Sequence, residues 1–73
     1  MAVQIVMDRS GDSRHSFNPD DEQQLARAAE RFQELTRAGF TAAVRTSTGG
    51  SSQIRSFDPT AKETLFFPRL VGG

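Results

Sequence analysis

Side chains with chemical reactivity are few in this chain of 73 residues. Cysteine is absent, which excludes disulfides, thiolate metal sites and cysteine nucleophiles. The one histidine, His15, lies two residues before Phe17, so both side chains are on the same face of the predicted strand. We expect His15 to lie at the edge of the core. General acid–base catalysis or metal binding would need a nucleophile, a carboxylate or further ligands beside it, and the sequence supplies no such set. We therefore interpret His15 as a structural or surface residue.

Two further segments have the composition of a ligand site but not the spacing. Residues 20–22 are Asp-Asp-Glu at a predicted helix start, where consecutive side chains point in different directions and do not converge on a metal ion. Their negative charge complements the helix dipole instead. Residues 48–51 are rich in glycine, but they lack the Gly-Lys-Ser/Thr ending of a phosphate-binding loop and lie between predicted strands. We interpret them as a hairpin connection.

Arginine accompanies the predicted strands. Eight of the nine basic residues are arginine, and Lys62 is the only lysine. Five of the arginines lie on or beside predicted strands: Arg9, Arg14, Arg45, Arg55 and Arg69. On an exposed sheet face they would form a small basic surface for an acidic protein partner, or they would serve only as solubilising residues. Both interpretations stay open, because sheet faces that carry arginine are often protein-binding faces.

Charge balance and hydropathy exclude several classes of protein. Nine basic residues match nine acidic ones, whereas a general nucleic-acid or membrane-surface binder carries a basic excess. RNA-binding sheets need exposed aromatic residues, and the six phenylalanines are expected in the core. No apolar segment approaches the roughly 20 residues that span a bilayer, and the N-terminal segment lacks a secretory signal. We expect a cytoplasmic protein with neither a nucleic-acid nor a membrane partner.

The C-terminal segment is the most unusual feature. It reads Pro-Arg-Leu-Val-Gly-Gly over residues 68–73. Glycine has no Cβ, so a diglycine can pass through a narrow channel, and an exposed terminus can reach into another protein's active site. The alternative is an inert tail that happens to end in two glycines.

Periodicity predicts the elements that must position these residues. Strands are predicted over residues 2–8, 13–17, 40–46, 53–57 and 64–70, and a turn or single helical turn over residues 58–62. A helix is predicted over residues 19–38, with Asn18 as its cap and Gly39 as its stop. The helix must cover one face of one mixed sheet, which is an α+β arrangement. The other face is expected to stay partly solvated and to carry the polar alternate positions.

These motifs, in this order, resemble the ubiquitin and sulfur-carrier superfamily. The first strand, the glycine-containing turn and the proline-acidic helix start follow ubiquitin in the segments Val3-Gln4-Ile5-Val6, Ser10-Gly11-Asp12 and Pro19-Asp20-Asp21. The closing segments are similar to those of ubiquitin in Lys62-Glu63-Thr64-Leu65 and Arg69-Leu70-Val71-Gly72-Gly73. The Phe66-Phe67-Pro68 step is similar to the approach to Gly-Gly in the small subunit of molybdopterin synthase. The resemblance covers both ends, about half of the chain.

The resemblance implies a fold and a mechanism. The fold would be a β-grasp, ββαββ(β), in one small domain over residues 1–73 with residues 69–73 as an exposed tail. An E1-like adenylating enzyme would activate the Gly73 carboxylate with ATP and Mg²⁺, and the product would become a thiocarboxylate or a thioester. Gly72 and Gly73 would be the reactive terminus. Docking would involve the residues Arg69, Leu70, Val71, Arg45 and Arg55. The chain itself would bind no cofactor and would not be an enzyme.

Partner and alternative functions follow from these expectations. The partners would be the E1-like enzyme or a sulfurtransferase, together with a protein acceptor if conjugation occurs. One alternative is a non-covalent adaptor whose tail is inert. A stand-alone enzyme is the least favoured reading, because no catalytic set appears and so small a domain rarely encloses a pocket of about 300 Å³ or more. The protein is expected to be a monomer or a weak dimer that forms through an unpaired strand edge.

Overall fold

The computed structural model describes residues 1–46 and 48–68 as one helix packed on a five-stranded sheet. The elements in chain order are β1 (Ala2–Asp8), β2 (Gly11–Phe17), α1 (Glu22–Arg37), β3 (Phe40–Arg45), β4 (Ser51–Ile54) and β5 (Glu63–Pro68). The predicted α+β class, with one helix on a mixed sheet, is confirmed. The predicted tail, residues 69–73, lies outside the described residues.

The last strand occupies the centre of the sheet. The strand order is β2-β1-β5-β3-β4, with β5 parallel to β1 and antiparallel to β3. The β1–β2 and β3–β4 pairs are antiparallel and form the two flanks. A central strand is shielded by a strand on each side, which suits the consecutive apolar residues Leu65, Phe66 and Phe67 of β5. Three bulky apolar residues in a row indicate a strand that is buried on both sides or lies at the centre of a sheet, and β5 lies at the centre.

A line of four aromatic rings forms the core between α1 and the sheet. Phe66 of β5 packs edge-on against Phe32 of α1, with ring centroids 5.6 Å apart. Phe57 lies 5.9 Å from Phe32 and 6.2 Å from Phe17, so it joins the two ends of the core. Phe66 is fully buried, and Phe32 is 2% exposed. Edge-to-face contacts of this kind add to the stabilisation from burial.

Phe57 reaches this core from the connection between β4 and β5. The fourth strand, predicted over residues 53–57, is present but shifted: β4 spans Ser51–Ile54 and ends before Phe57. Burial of the phenyl ring between Phe17 and Phe32 turns the chain inward at this point. The half-buried ring is removed from water by these contacts, which stabilises this path of the chain.

The helix begins later than predicted. It spans Glu22–Arg37, and the predicted start at Pro19 with Asn18 as cap is wrong. The N-cap is Asp21, whose carboxylate accepts hydrogen bonds from the backbone N–H groups of Gln23 (3.0 Å) and Gln24 (3.2 Å). The two bonds satisfy amides that have no partner within the helix. The side-chain oxygen of Asn18 instead accepts a hydrogen bond from the backbone N–H of Asp20, in the turn that precedes the helix.

The predicted helix stop is confirmed. Ala38 is the C-cap, and Gly39 follows it with φ 102°, a left-handed conformation that only glycine adopts without strain. The predicted last strand, residues 64–70, is shifted: β5 spans Glu63–Pro68, and residues 69–70 lie outside the described residues.

Two turns are each held by an aspartate. Asp8 Oδ1 accepts from the Ser10 hydroxyl (2.6 Å) and the Ser10 backbone N–H (2.8 Å). Asp58 Oδ1 accepts in the same way from Thr60, at 2.6 and 2.9 Å, in a turn rather than the single helical turn considered above. The side-chain hydrogen bonds, followed by those from the backbone, hold the pKa of both carboxyls below its ordinary value.

We expect these two carboxyls to contribute to an acid-sensitive part of the stability. A carboxyl whose pKa is lower in the folded state stabilises the protein above its unfolded pKa, and that stabilisation is lost as pH falls through the folded pKa. The double variant Asp8→Asn/Asp58→Asn keeps oxygen acceptors but cannot titrate, so its urea midpoint should fall less steeply on acidification. Urea unfolding followed by circular dichroism between neutral and acid pH measures this. An acid limb identical to that of the parent would contradict the expectation.

Candidate functional site

The sheet has one face without a helix, which we call the open face. On the opposite face, Gln4 of β1 donates from Nε2 to the backbone carbonyl of Ala28 in α1 (2.9 Å). Side chains alternate along a strand, so Ile5 points to the open face. The register places Ile5 beside Leu65 of β5, and Leu65 beside Ala43 of β3. The centre of the open face is therefore apolar.

An apolar strip runs across this face. It comprises Val3, Ile5 and Met7 of β1, Ala43 of β3, and Leu65 and Phe67 of β5. Ile5 and Ala43 are nearly buried (6% and 4% exposed), whereas Phe67 is 38% exposed. Met7, half-buried, falls beside Phe67 when the β1–β5 register is continued by one residue. The accessible part of the strip is thus its Met7–Phe67 end.

This distribution corrects one expectation from the sequence. The open face was predicted to carry the polar alternate positions, and in β1 this is wrong. The polar Gln4 faces the helix, and the β-branched Val3 and Ile5 lie on the open face. Gln4 is tolerated inside because its carbonyl oxygen also accepts from the Arg31 guanidinium (3.0 Å), which satisfies both ends of the amide.

The strip was missed in the sequence although a signal for it existed. The odd positions of β1 are all apolar, Ala2 and Val6 add two apolar residues at even positions, and β5 has three bulky apolar residues in a row. Either pattern indicates a strand with apolar residues on both faces.

The arginines near the open face differ in position and in whether they form an ion pair. Arg14 of β2 and Arg45 of β3 lie on it and are exposed, and Arg55 follows β4 directly and is also exposed. Arg45 is not free, since its Nε lies 2.9 Å from Glu63 Oε2 in the neighbouring strand. Arg14 and Arg55 thus supply the positive charge on opposite sides of the strip. Arg9 lies in the β1–β2 turn.

The predicted docking surface and reactive terminus include five further residues. Arg69, Leu70, Val71, Gly72 and Gly73 lie outside the described residues. The last described residue, Pro68, stands opposite Phe40 at the start of β3. The described part of the chain therefore stops at the end of β5 that carries the exposed Phe67.

Two further features of the described residues bear on chemistry: a notch beside β4, and His15. A shallow notch of about 390 Å³ opens where β3 and β4 diverge, lined by Thr36, Phe40, Thr41, Gln53 and Arg55 among others. Arg55 is its only ionisable side chain. Within residues 1–46 and 48–68, His, Cys, Asp and Glu nowhere gather in threes at metal-binding distances. His15 is half-buried opposite Gln4, at the edge of the core, as predicted.

Comparison with known proteins adds no relative. No protein-family model matches the chain, and no curated protein and no solved structure matches it. Across the described part of the chain, no helix is long and apolar enough to cross a membrane.

Proposed function

We propose that this protein is a ubiquitin-like carrier or modifier whose Gly73 carboxylate is activated by an E1-like adenylating enzyme. The observation that carries the proposal is the position of β5. This central strand bears the exposed Phe67 on the open face and ends at Pro68, and the sequence then continues directly through residues 69–71 to Gly72 and Gly73. A partner that contacts the open face would therefore meet the terminus within a few residues.

The architecture supports a β-grasp fold of the superfamily. A hairpin, a helix, a second hairpin and a final strand inserted between β1 and β3 are all compatible with that fold. The sequence resemblance at both ends of the chain supports the same assignment. The fold holds the last strand at the centre of the sheet, with β1 and β3 as its neighbours on the two sides.

The chemistry would belong to the partner. A Gly73 carboxylate oxygen would attack the α-phosphorus of ATP, with Mg²⁺ on the phosphates, and pyrophosphate would leave. A sulfur nucleophile supplied by a partner would then displace AMP, which produces a thiocarboxylate from sulfide or a thioester from a cysteine thiolate. The reaction needs Gly73 as the chain end, either as such or after removal of residues that follow. Glycine at both positions leaves room for a narrow active-site channel.

The open face would bind the activating enzyme. Its accessible apolar end, Met7 and Phe67, would provide the contact that excludes water, because aromatic and methionine side chains are enriched at the centres of interfaces. Arg14 and Arg55 on the two sides favour an acidic rim on the partner. Arg45 would contribute less than the sequence suggested, because Glu63 already neutralises it.

Mass spectrometry of the protein from its own cells tests the proposal. We expect either an intact species in which one sulfur replaces one terminal oxygen, or target lysines that carry a Leu-Val-Gly-Gly remnant after trypsin cuts behind Arg69. A variant that lacks Gly73 is the matched control and should show neither species. Absence of both products from well-expressing cells would contradict the proposal.

The non-covalent adaptor remains the second candidate, and the apolar strip is the observation that favours it. An adaptor would bind its partner through the open face and would not need the diglycine. Deletion of Gly72 and Gly73 should then leave partner binding intact, whereas Phe67→Asp should abolish it. If the carrier proposal is correct, either change should remove the modified products.

A further inference from the structure

The outer edge of β2 is a free strand edge. β2 is the first strand of the sheet and pairs only with β1. Its residues 11–14 are all exposed, so no described part of the chain covers this stretch. An uncovered edge offers unpaired backbone groups to another strand.

The hydrogen bonds of β1 show which β2 groups are free. Val3 donates its backbone N–H to Lys62 O on the β5 side (2.9 Å). The backbone groups of successive strand residues point to opposite sides, so Gln4 and Val6 direct theirs towards β2. The β2 residues opposite Gln4 and Val6 are His15 and Ser13. The backbone N–H and C=O groups of His15 and Ser13 therefore point towards β1.

It follows that Asp12, Arg14 and Ser16 direct their N–H and C=O groups outward. Asp12 and Arg14 also share the open face, because their partners in β1 are Met7 and Ile5. An acidic and a basic side chain thus flank Ser13 symmetrically on one exposed edge. This arrangement is complementary to a second copy of itself.

We propose that β2 pairs antiparallel with β2 of a second copy about a two-fold axis through Ser13. In this register Asp12 lies opposite Arg14 of the second copy, and Arg14 lies opposite its Asp12. Both positions have outward backbone groups, so each pair also exchanges two backbone hydrogen bonds. The axis is perpendicular to the sheet, which keeps both α1 helices on one side and makes the open faces continuous.

Charge selects this register over its neighbours. A shift that centres the axis on Arg14 would place the two Arg14 side chains opposite one another, and like charges in directly opposed positions are destabilising. The other edge lacks such complementarity, since β4 consists of Ser51, Ser52, Gln53 and Ile54. We expect weak association, because pairing of a few residues buries less than the roughly 1,200–2,000 Å² of stable complexes.

The dimer shares Arg14 with the proposed docking surface but does not rest on the proposed function, because neither the diglycine nor a partner enzyme takes part in self-association. Sedimentation equilibrium of the full chain at low salt tests it by charge exchange. Arg14→Asp and Asp12→Arg should each weaken dimerisation roughly ten-fold or more, since each change opposes like charges in both symmetric pairs. The combined variant Asp12→Arg/Arg14→Asp should restore it. A monomer at every concentration, or a combined variant that stays weak, would overturn the proposal.

Cysteine cross-linking provides a second test, because the chain has no native cysteine. Ser13 would face Ser13 of the second copy as a non-hydrogen-bonded pair, with Cα atoms about 4.5 Å apart, which is within disulfide range. Ser13→Cys should therefore form a covalent dimer under mild oxidation. Ser51→Cys, on the exposed opposite edge, is the matched control and should cross-link more slowly. Equal rates for the two variants would also overturn the proposal.

Discussion

Phe66→Ala is expected to leave about half of the protein or more unfolded without denaturant. The Phe66 side chain is fully buried in the central strand and packs on the Phe32 ring and on Val6 and Ala42. Truncation of a buried phenylalanine to alanine costs about 3–5 kcal/mol, because burial is lost and a cavity remains. A single core in a domain of this size supplies only about 3–5 kcal/mol of net stability. The loss therefore matches the whole free energy of unfolding.

The neighbouring residue provides the matched control. Phe67 is 38% exposed on the open face, so Phe67→Ala removes much less buried surface and should leave the fold intact. Far-ultraviolet circular dichroism and urea unfolding of the two variants measure the difference. Comparable losses for Phe66→Ala and Phe67→Ala would mean that β5 does not present these two rings to opposite faces.

Gln4→Ala is expected to lower the free energy of unfolding by about 2–5 kcal/mol, the second largest effect. Gln4 is fully buried, and its amide connects the sheet to α1 through Ala28 O and the Arg31 guanidinium. Alanine would remove both hydrogen bonds and leave a cavity of most of a side chain. Urea unfolding at neutral pH measures the loss.

Two variants separate the causes of this loss. Gln4→Met fills the space without replacing the hydrogen bonds. Its free energy of unfolding should therefore fall only by the contribution of those bonds, about 1–2 kcal/mol. Arg31→Ala removes one of the two bonds at a half-buried position and should cost less than Gln4→Ala. If Gln4→Met were as stable as the parent, the amide would be acting only as a filler of volume.

Local patterns predicted the elements better than they predicted the faces. The first hairpin, the helix stop at Gly39 and the central apolar strand follow from turn chemistry and periodicity, and all three are present. Which face of β1 meets the helix depends on contacts between distant segments. Gln4 can be buried only because Arg31 and Ala28 stand opposite it, and neither is near it in sequence.

In the candidate site, too, residue types could be predicted from the sequence but the contacts between distant segments could not. The diglycine and the arginines were visible as residue types, but the apolar strip required the register between β1, β5 and β3. The helix start was misplaced because Asn18, Pro19 and Asp21 all favour a helix N-terminus. Only the hydrogen bonds to Gln23 and Gln24 identify Asp21 as the cap.

The central position of the last strand has a consequence for synthesis on the ribosome. Val3 and Glu63 lie side by side although nearly the whole chain separates them, so the contact order of this pairing is high. A nascent chain that ends before β5 holds two hairpins with a gap between β1 and β3. The native sheet can close only after the segment nearest the diglycine has emerged. Premature termination products would then lack the central strand and be open to proteolysis, which couples the presence of the C-terminal segment to a folded domain.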